Sequence, residues 1–271
     1  MNDPRMKPVP SAWADMIDGW CLALAASGAS EQTRVLRRAH VSRLARALPC
    51  PPRAVDAGEL VEWLGRQRWA AETRRAWRAS LRSFFAFLDM PEVVDAIPRA
   101  RASIPTPRPA PDRVVAVGFR TADERTTLVL RLAAEAGLRR GEIARVHARD
   151  LVEDLGGWSL LVHGKGGRSR LVPLTDELAA LVRRRAQGGW VFPGQIDGHL
   201  SARRVGELAA DVLPDGWTLH TLRHRFATRA HVATSDLIAV QRLLGHASVA
   251  TTQRYVATDA ARLRSVALAA A

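Results

Sequence analysis

From Ile97 to Asp112 the chain reads IPRARASIPTPRPAPD, five prolines and three arginines with hardly any large apolar side chain. Each proline fixes its own φ, removes a backbone donor and biases the preceding residue toward extended backbone. The stretch therefore favours a polyproline-like path over a packed element. A chain of 271 residues interrupted there has to build two cores, and each flank is long enough to bury one. The reading is a helical domain over 10–96, a Pro/Arg-rich linker over 97–112 and a second domain with a C-terminal tail over 113–271.

Before residue 91 four segments carry helical spacing. They are Trp13, Met16, Ile17, Trp20 and Leu24; then Val35, Leu36, Ala39 and Leu44; then Leu60, Val61 and Leu64; then Trp77, Leu81, Phe84, Phe85 and Leu88. Asp56 is positioned to cap the third, and Pro51 with Pro52 interrupts the chain before it. After the linker a helix is expected around Thr126 to Ala136. The period then changes: Trp158 to Gly164 and Arg168 to Leu174 are β-like runs flanking a Gly-Lys-Gly-Gly tip, which reads as a hairpin. Helices are expected again over 176–185, 202–213, 220–232 and 236–244 and around Tyr255. Thr175 and Ser235 are candidate caps and Gly245 a stop.

The net charge of +13 favours a polyanionic partner, because each phosphate neutralised by Arg or Lys releases condensed counterions. An Arg-rich composition alone would also produce that charge, and the basic linker suits either a DNA groove or a solvated spacer. No apolar run approaches the ~20 residues of a membrane span. The first residues, MNDPRMKPVP, carry prolines and charges where a secretion signal needs an apolar stretch, so a cytoplasmic protein is expected. Cys21 and Cys50 form no C-x-x-C pair, which leaves a thiolate metal site or a disulfide framework unsupported and makes both candidate core residues.

Three clusters carry chemistry. In Gly137-Leu138-Arg139-Arg140-Gly141-Glu142, Arg139 and Glu142 would share a face if helical, so the carboxylate either orients the guanidinium or makes a routine surface pair. In His220-Thr221-Leu222-Arg223-His224, the i, i+4 histidines resemble a helical zinc site. That motif, however, has Glu after its first His, whereas Thr221 stands here with the cation Arg223 beside the pair. Imidazole next to guanidinium suits an anion better. The third cluster is Leu243-Leu244-Gly245-His246, with Tyr255, the single tyrosine of the chain, nine residues on. Lys7 and Lys165 are the only lysines, and Lys165 lies at the Gly-rich hairpin tip. Unlike Arg, Lys can give up a proton, so it is a candidate acid. Together these residues make a set for metal-free phosphoryl transfer: guanidinium groups for the phosphate, a hydroxyl nucleophile and an acid for the leaving oxygen. The carboxylate clusters of two-metal nucleases are absent from the sequence.

In this order the motifs resemble the tyrosine recombinase (phage integrase) family over roughly residues 113 to 260. The resemblance implies a mainly α fold with a small antiparallel β-sheet, a helical core-type DNA-binding domain over 10–96 and an α+β catalytic domain. It implies that Arg139 and Arg223 bind the scissile phosphate, that Lys165 is the general acid and that His220 assists proton transfer. His246 would hydrogen-bond the phosphate and Tyr255 would be the nucleophile, with Glu142 in a supporting acidic position and His224 in a structural role. It further implies a 3′-phosphotyrosyl intermediate, a Holliday junction, a tetramer of the chain on two double-stranded DNA core sites, and no metal or nucleotide cofactor. A first helix near residue 12 leaves no room for an arm-binding N-terminal domain, which points to a short integrase or to a chromosome or plasmid dimer resolvase. The apolar tail from Ser265 to Ala271 is expected to dock on a neighbouring protomer. A catalytically silent DNA-binding relative would need none of Lys165, His220 and Tyr255, and a type IB topoisomerase would relax supercoils without paired sites.

Overall fold

The computed structural model describes residues 7–98, 108–164 and 167–245. These residues fall into two compact units, one within Met1–Ser103 and one within Ile104–Ala271. The architecture is mainly helical with one small antiparallel sheet. Among the described residues no helix is long and apolar enough to cross a membrane.

The first unit holds α1 (Ser11–Ala26), α2 (Glu31–Ala47), α3 (Ala57–Gly65), α4 (Ala71–Phe87) and a short α5 (Pro91–Ala96). Asp56 caps α3 as expected, accepting from the backbone N–H of Gly58 and Glu59. The core is aromatic: Phe84 is stacked by Trp13 at 5.8 Å and met edge-on by Trp20 at 5.3 Å. The α2 face differs from the expectation, since Val35 and Leu36 are exposed and the helix buries His40, Val41, Leu44 and Ala45. His40 holds its place by a 2.9 Å hydrogen bond to Ser80 and by stacking on Trp77 at 4.4 Å. A polar residue with a partner thus occupies the seam, and the apolar pair faces solvent. Val61 is likewise exposed. Cys21 and Cys50 are free thiols, partly buried against this core.

Packing reaches into both ends of the proline-rich stretch. Ile97 is fully buried in the first core and Ala110 is buried in the second, while 99–107 lie outside the described residues. On the second unit's side, Arg108 lies over the Trp217 ring at 4.2 Å and donates to the Gly216 carbonyl at 3.3 Å. The Ala110 N–H donates to the Thr221 carbonyl at 3.0 Å, and Asp112 pairs with Arg225 and Arg229.

The second unit opens with α6 (Asp112–Thr121) and α7 (Glu124–Ala134), the latter capped by Asp123, and continues through α8 (Arg140–Ala144). Three strands follow, β1 (Leu151–Asp154), β2 (Gly157–His163) and β3 (Ser169–Pro173), antiparallel in the order β1-β2-β3. The hairpin of β2 and β3 is the expected one, with Leu160 opposite Val172 and His163 opposite Ser169. β1 is additional, pairing Leu151 with Leu160. Next come α9 (Asp176–Ala186), capped by Thr175, a short β4 (Pro193–Ile196), α10 (Ala202–Ala210), α11 (Leu219–Thr234) and α12 (Leu237–Leu244). Ser235 does not cap α12: it ends α11 in the left-handed region with φ 58°, and Asp236 supplies the cap by accepting from the Ala239 N–H. Gly245 closes α12 with φ 62°, as expected of a C-terminal glycine. The expected helix around Tyr255 and the apolar tail lie outside the described residues.

Candidate active site

After α7 the chain turns through Gly137, whose φ of 65° is left-handed and whose missing Cβ leaves room for the Phe226 ring. That turn delivers Arg139 in extended conformation as the N-cap of α8, not as a residue of the helix. The Arg139 and Glu142 pair forms nevertheless, by cap geometry. The Arg139 backbone N–H donates to Glu142 Oε2 at 2.8 Å, and its Nη1 donates to Oε1 at 2.8 Å.

Glu142 is buried and collects two more guanidinium groups. Arg170, on β3, donates Nη1 to Oε1 and Nη2 to Oε2, both at 2.9 Å, and Arg223 Nη1 stands 3.7 Å from Oε2. Burial alone would raise the carboxyl pKa, but the Arg170 and Arg139 hydrogen bonds and charges overcome it and bring it down to about 2. The carboxylate is therefore ionised at any working pH.

Arg223 comes from α11, whose first turn is closed by Thr221: its Oγ1 accepts from the Thr218 N–H at 3.0 Å and donates to the Thr218 carbonyl at 2.7 Å. The residue that set the zinc reading aside thus serves the helix start. Arg223 is fully buried, donating to the carbonyls of Gly137 and, at 2.6 Å, Leu244. His220 and His224 meet edge-to-face at 4.5 Å. Partial burial of its ring, then the Arg223 and Arg139 cations, lower the proton affinity of His220. Burial, then His220 and Arg223, push His224 down to about 4. Both shifts favour the neutral imidazole near pH 7. Among the described residues no group of three or more His, Cys, Asp or Glu could hold a metal ion.

Lys165, His246 and Tyr255 lie outside the described residues, but the backbone leading to two of them is in view. The hairpin base is fastened by the Gly164 N–H donating to the Arg168 carbonyl at 2.7 Å. His163 adds a 3.0 Å pair with buried Asp150, and Arg145 donates to the His163 carbonyl. At the other approach Arg139 Nη2 reaches the Gly245 carbonyl at 3.5 Å, one residue before His246. The structure therefore brings together Arg139, Glu142, Arg223, His220 and His224. Sequence reasoning missed Arg170, which also donates Nε to the Leu243 carbonyl at 2.6 Å. Its only signal was a cation two residues before Val172, on the face of the strand that turns to the core.

Residues 113–262, more than half of the chain, match the model of the phage integrase family. The chain is 37% identical over 217 residues to tyrosine recombinase XerC of Methylobacterium sp. (strain 4-46), covering 69% of this chain and 67% of that protein. It is 36% identical over 215 residues to tyrosine recombinase XerC of Brucella melitensis biotype 1 (strain ATCC 23456 / CCUG 17765 / NCTC 10094 / 16M), covering 69% and 68%. The fold is similar to that of a XerH site-specific recombinase bound to palindromic difH substrate in a post-cleavage complex. That match has TM-score 0.69 and 19% identity, over 93% of this chain and 83% of that one. It is also similar to a lambda integrase dimer bound to a COC′ core site, with TM-score 0.68 and 19% identity over 89% and 76%. The chain belongs to the phage integrase family and is a tyrosine recombinase.

Proposed function

We propose that the protein breaks and rejoins duplex DNA at specific sites through Tyr255. The observation that carries this is the gathering of Arg139 and Arg223, from motifs more than eighty residues apart, around one ionised carboxylate with a neutral His220 beside them. Such an arrangement holds fixed positive charge where a phosphate's nonbridging oxygens need it. Arg139, half-exposed, faces the phosphate, and Arg223 adds a fixed, buried positive charge beside it.

In this reading the Tyr255 oxygen attacks phosphorus while neutral His220 helps remove its proton. The bond from phosphorus to the 5′-oxygen breaks, Lys165 protonates that oxygen, and His246 hydrogen-bonds the phosphate. The 5′-hydroxyl then attacks the phosphotyrosyl link of a partner duplex and releases Tyr255. One phosphoester bond forms for each that breaks, so no nucleotide hydrolysis is needed. The residues up to Ile97 serve as the core-type DNA-binding part, and four copies act on two sites through a Holliday junction. The XerC-named relatives support dimer resolution over integration as the cellular task, carried out in the bacterial cytoplasm.

A nicked suicide substrate tests the reading. Parent protein should become covalently attached to DNA, and Tyr255→Phe should bind specifically without attaching. An adduct that persists in Tyr255→Phe rules out the nucleophile.

A further inference from the structure

We infer that Arg170 is a positioning residue for strand transfer: through Glu142 it orients the Arg139 guanidinium, and it ties the Lys165 hairpin and the end of α12 to the same carboxylate. The inference rests on the strand-transfer reading above and adds to it a residue that does not touch the reacting atoms.

The geometry is specific. Each oxygen of Glu142 accepts one bond from Arg170 and one from Arg139, so the planar fork of Arg170 fixes the carboxylate plane and leaves only the remaining lone pairs to Arg139. Arg139 is half-exposed, with its side chain 42% accessible, whereas Arg170 is at 11%. The buried partner therefore sets the position of the exposed one. The remaining edge of Arg170 is committed to the Leu243 carbonyl, and its guanidinium lies so close to Gly245 that a Cβ there would stand 3.0 Å from Nη1. Arg170 itself is five residues past Lys165, on the strand that returns from the hairpin tip. One side chain thus joins the segments leading to Lys165, Arg139 and His246. Stability alone gives little reason to keep such a group, because a well-packed apolar pair commonly replaces a buried ion pair without loss.

The groups facing Glu142 are Arg139 at the N-cap of α8, Arg170 from β3 and Arg223 from α11, with His220 of α11 next to Arg139. Without Arg170 the carboxylate keeps its burial but loses the hydrogen bond that most opposes it, so it takes up a proton at higher pH.

The test is single-turnover cleavage of a nicked suicide substrate at saturating DNA, with the full chain, comparing parent, Arg170→Met, Arg170→Lys, Glu142→Gln and the double variant Arg170→Met/Glu142→Gln. Arg170→Met should slow cleavage about 10²-fold, the scale of a small misplacement at a reacting centre, with DNA affinity nearly unchanged. Its acid limb should move to higher pH. Arg170→Lys should recover only part of the rate, because an ammonium lacks the fork. The double variant should be no slower than Glu142→Gln, since the effect of Arg170 runs through Glu142. Losses that multiply in the double variant, equal losses in affinity and rate, or a parental rate in Arg170→Met would each overturn the inference. If Arg170→Met does not fold, the comparison of Glu142→Gln with the double variant, where the carboxylate and its partner leave together, decides in the same way. A parent that forms no covalent adduct defeats the strand-transfer reading and this inference with it, whereas an adduct with multiplicative losses overturns the inference alone.

Discussion

His224 is buried beside a second histidine and a guanidinium, and its pKa of about 4 lies below the 6.5 of a free imidazole. The unfolded chain therefore binds the proton more readily, so the stability this group contributes is complete above about pH 6.5 and is lost as pH falls toward 4. The span corresponds to about 3 kcal/mol. Denaturation midpoints taken from pH 7 to 4 should fall less steeply for His224→Leu than for the parent, and parallel slopes would refute the assignment. Glu142 acts in a separate window: its depressed pKa gives stability that is present above 4.5 and lost as pH falls toward about 2. Lys165 invites a chemical test. Lys165→Ala should cleave ordinary DNA poorly but cleave a substrate with sulfur at the bridging 5′ position at nearly the parental rate, because a thiolate leaves without a proton. Arg139→Ala should stay slow on both, because it stabilises nonbridging charge. Sulfur rescue of both variants alike would remove Lys165 from the acid role. Arg139, Glu142, His220 and Arg223 stand out in the sequence because they fall in ordered motifs, and the structure gathers them, whereas Lys165 and Tyr255 stand out by rarity and lie outside the described residues. Arg170 does not stand out, since one arginine among 40 cationic side chains acquires meaning only when a strand pairing carries it to Glu142.

Two glycines hold the elements that present the site. Gly137→Ala would place a methyl group where the Phe226 ring lies and hold a left-handed φ without glycine's freedom. The conformation costs about 1–2 kcal/mol and the overpacking about 1–3, so a loss of about 2–5 kcal/mol is expected in a urea titration. Gly245→Ala carries the left-handed φ cost of about 1–2 kcal/mol, and its methyl group crowds the Arg170 guanidinium where the bonds to Glu142 and Leu243 hold it. It should therefore lower cleavage further than its modest loss of stability explains, and a fall in rate that simply tracks the unfolded fraction would contradict this. Elements with local determinants were readable in advance. Asp56 and Thr175 cap the helices they were assigned, and Gly245 stops α12. Elements decided by tertiary contact were not. β1 is four residues of Leu-Val-Glu-Asp that become a strand only by pairing with β2. The buried face of α2 follows His40, which no hydrophobic pattern selects. Between adjacent cap-competent residues, the left-handed turn out of α11 takes Ser235 and leaves Asp236 to cap α12.

At the scale of the molecule, a charge of +13 makes DNA binding steeply salt-dependent. With about 6 to 10 phosphate contacts, affinity should fall about 10³ to 10⁵-fold between 50 and 200 mM salt, and a flat titration would show that the charge is not used on the backbone. The division into two cores could be read from the prolines, but not where each core stops, because Ile97 and Ala110 look like linker residues in sequence and are buried in structure. The anchoring of residues 108–112 has a practical bearing on chimaeras that replace the first unit of this recombinase. A splice at residue 113, where the family match begins, would discard the Arg108 contact on Trp217, the Ala110 hydrogen bond to Thr221 and the Asp112 partners of Arg225 and Arg229. All of these fasten to α11 or to the loop that leads into it, the helix that carries His220 and Arg223. A graft joined before Arg108 should therefore keep the parental melting temperature and cleavage rate of the catalytic half, whereas one joined at 113 should lose both, so the usable seam lies within 99–107.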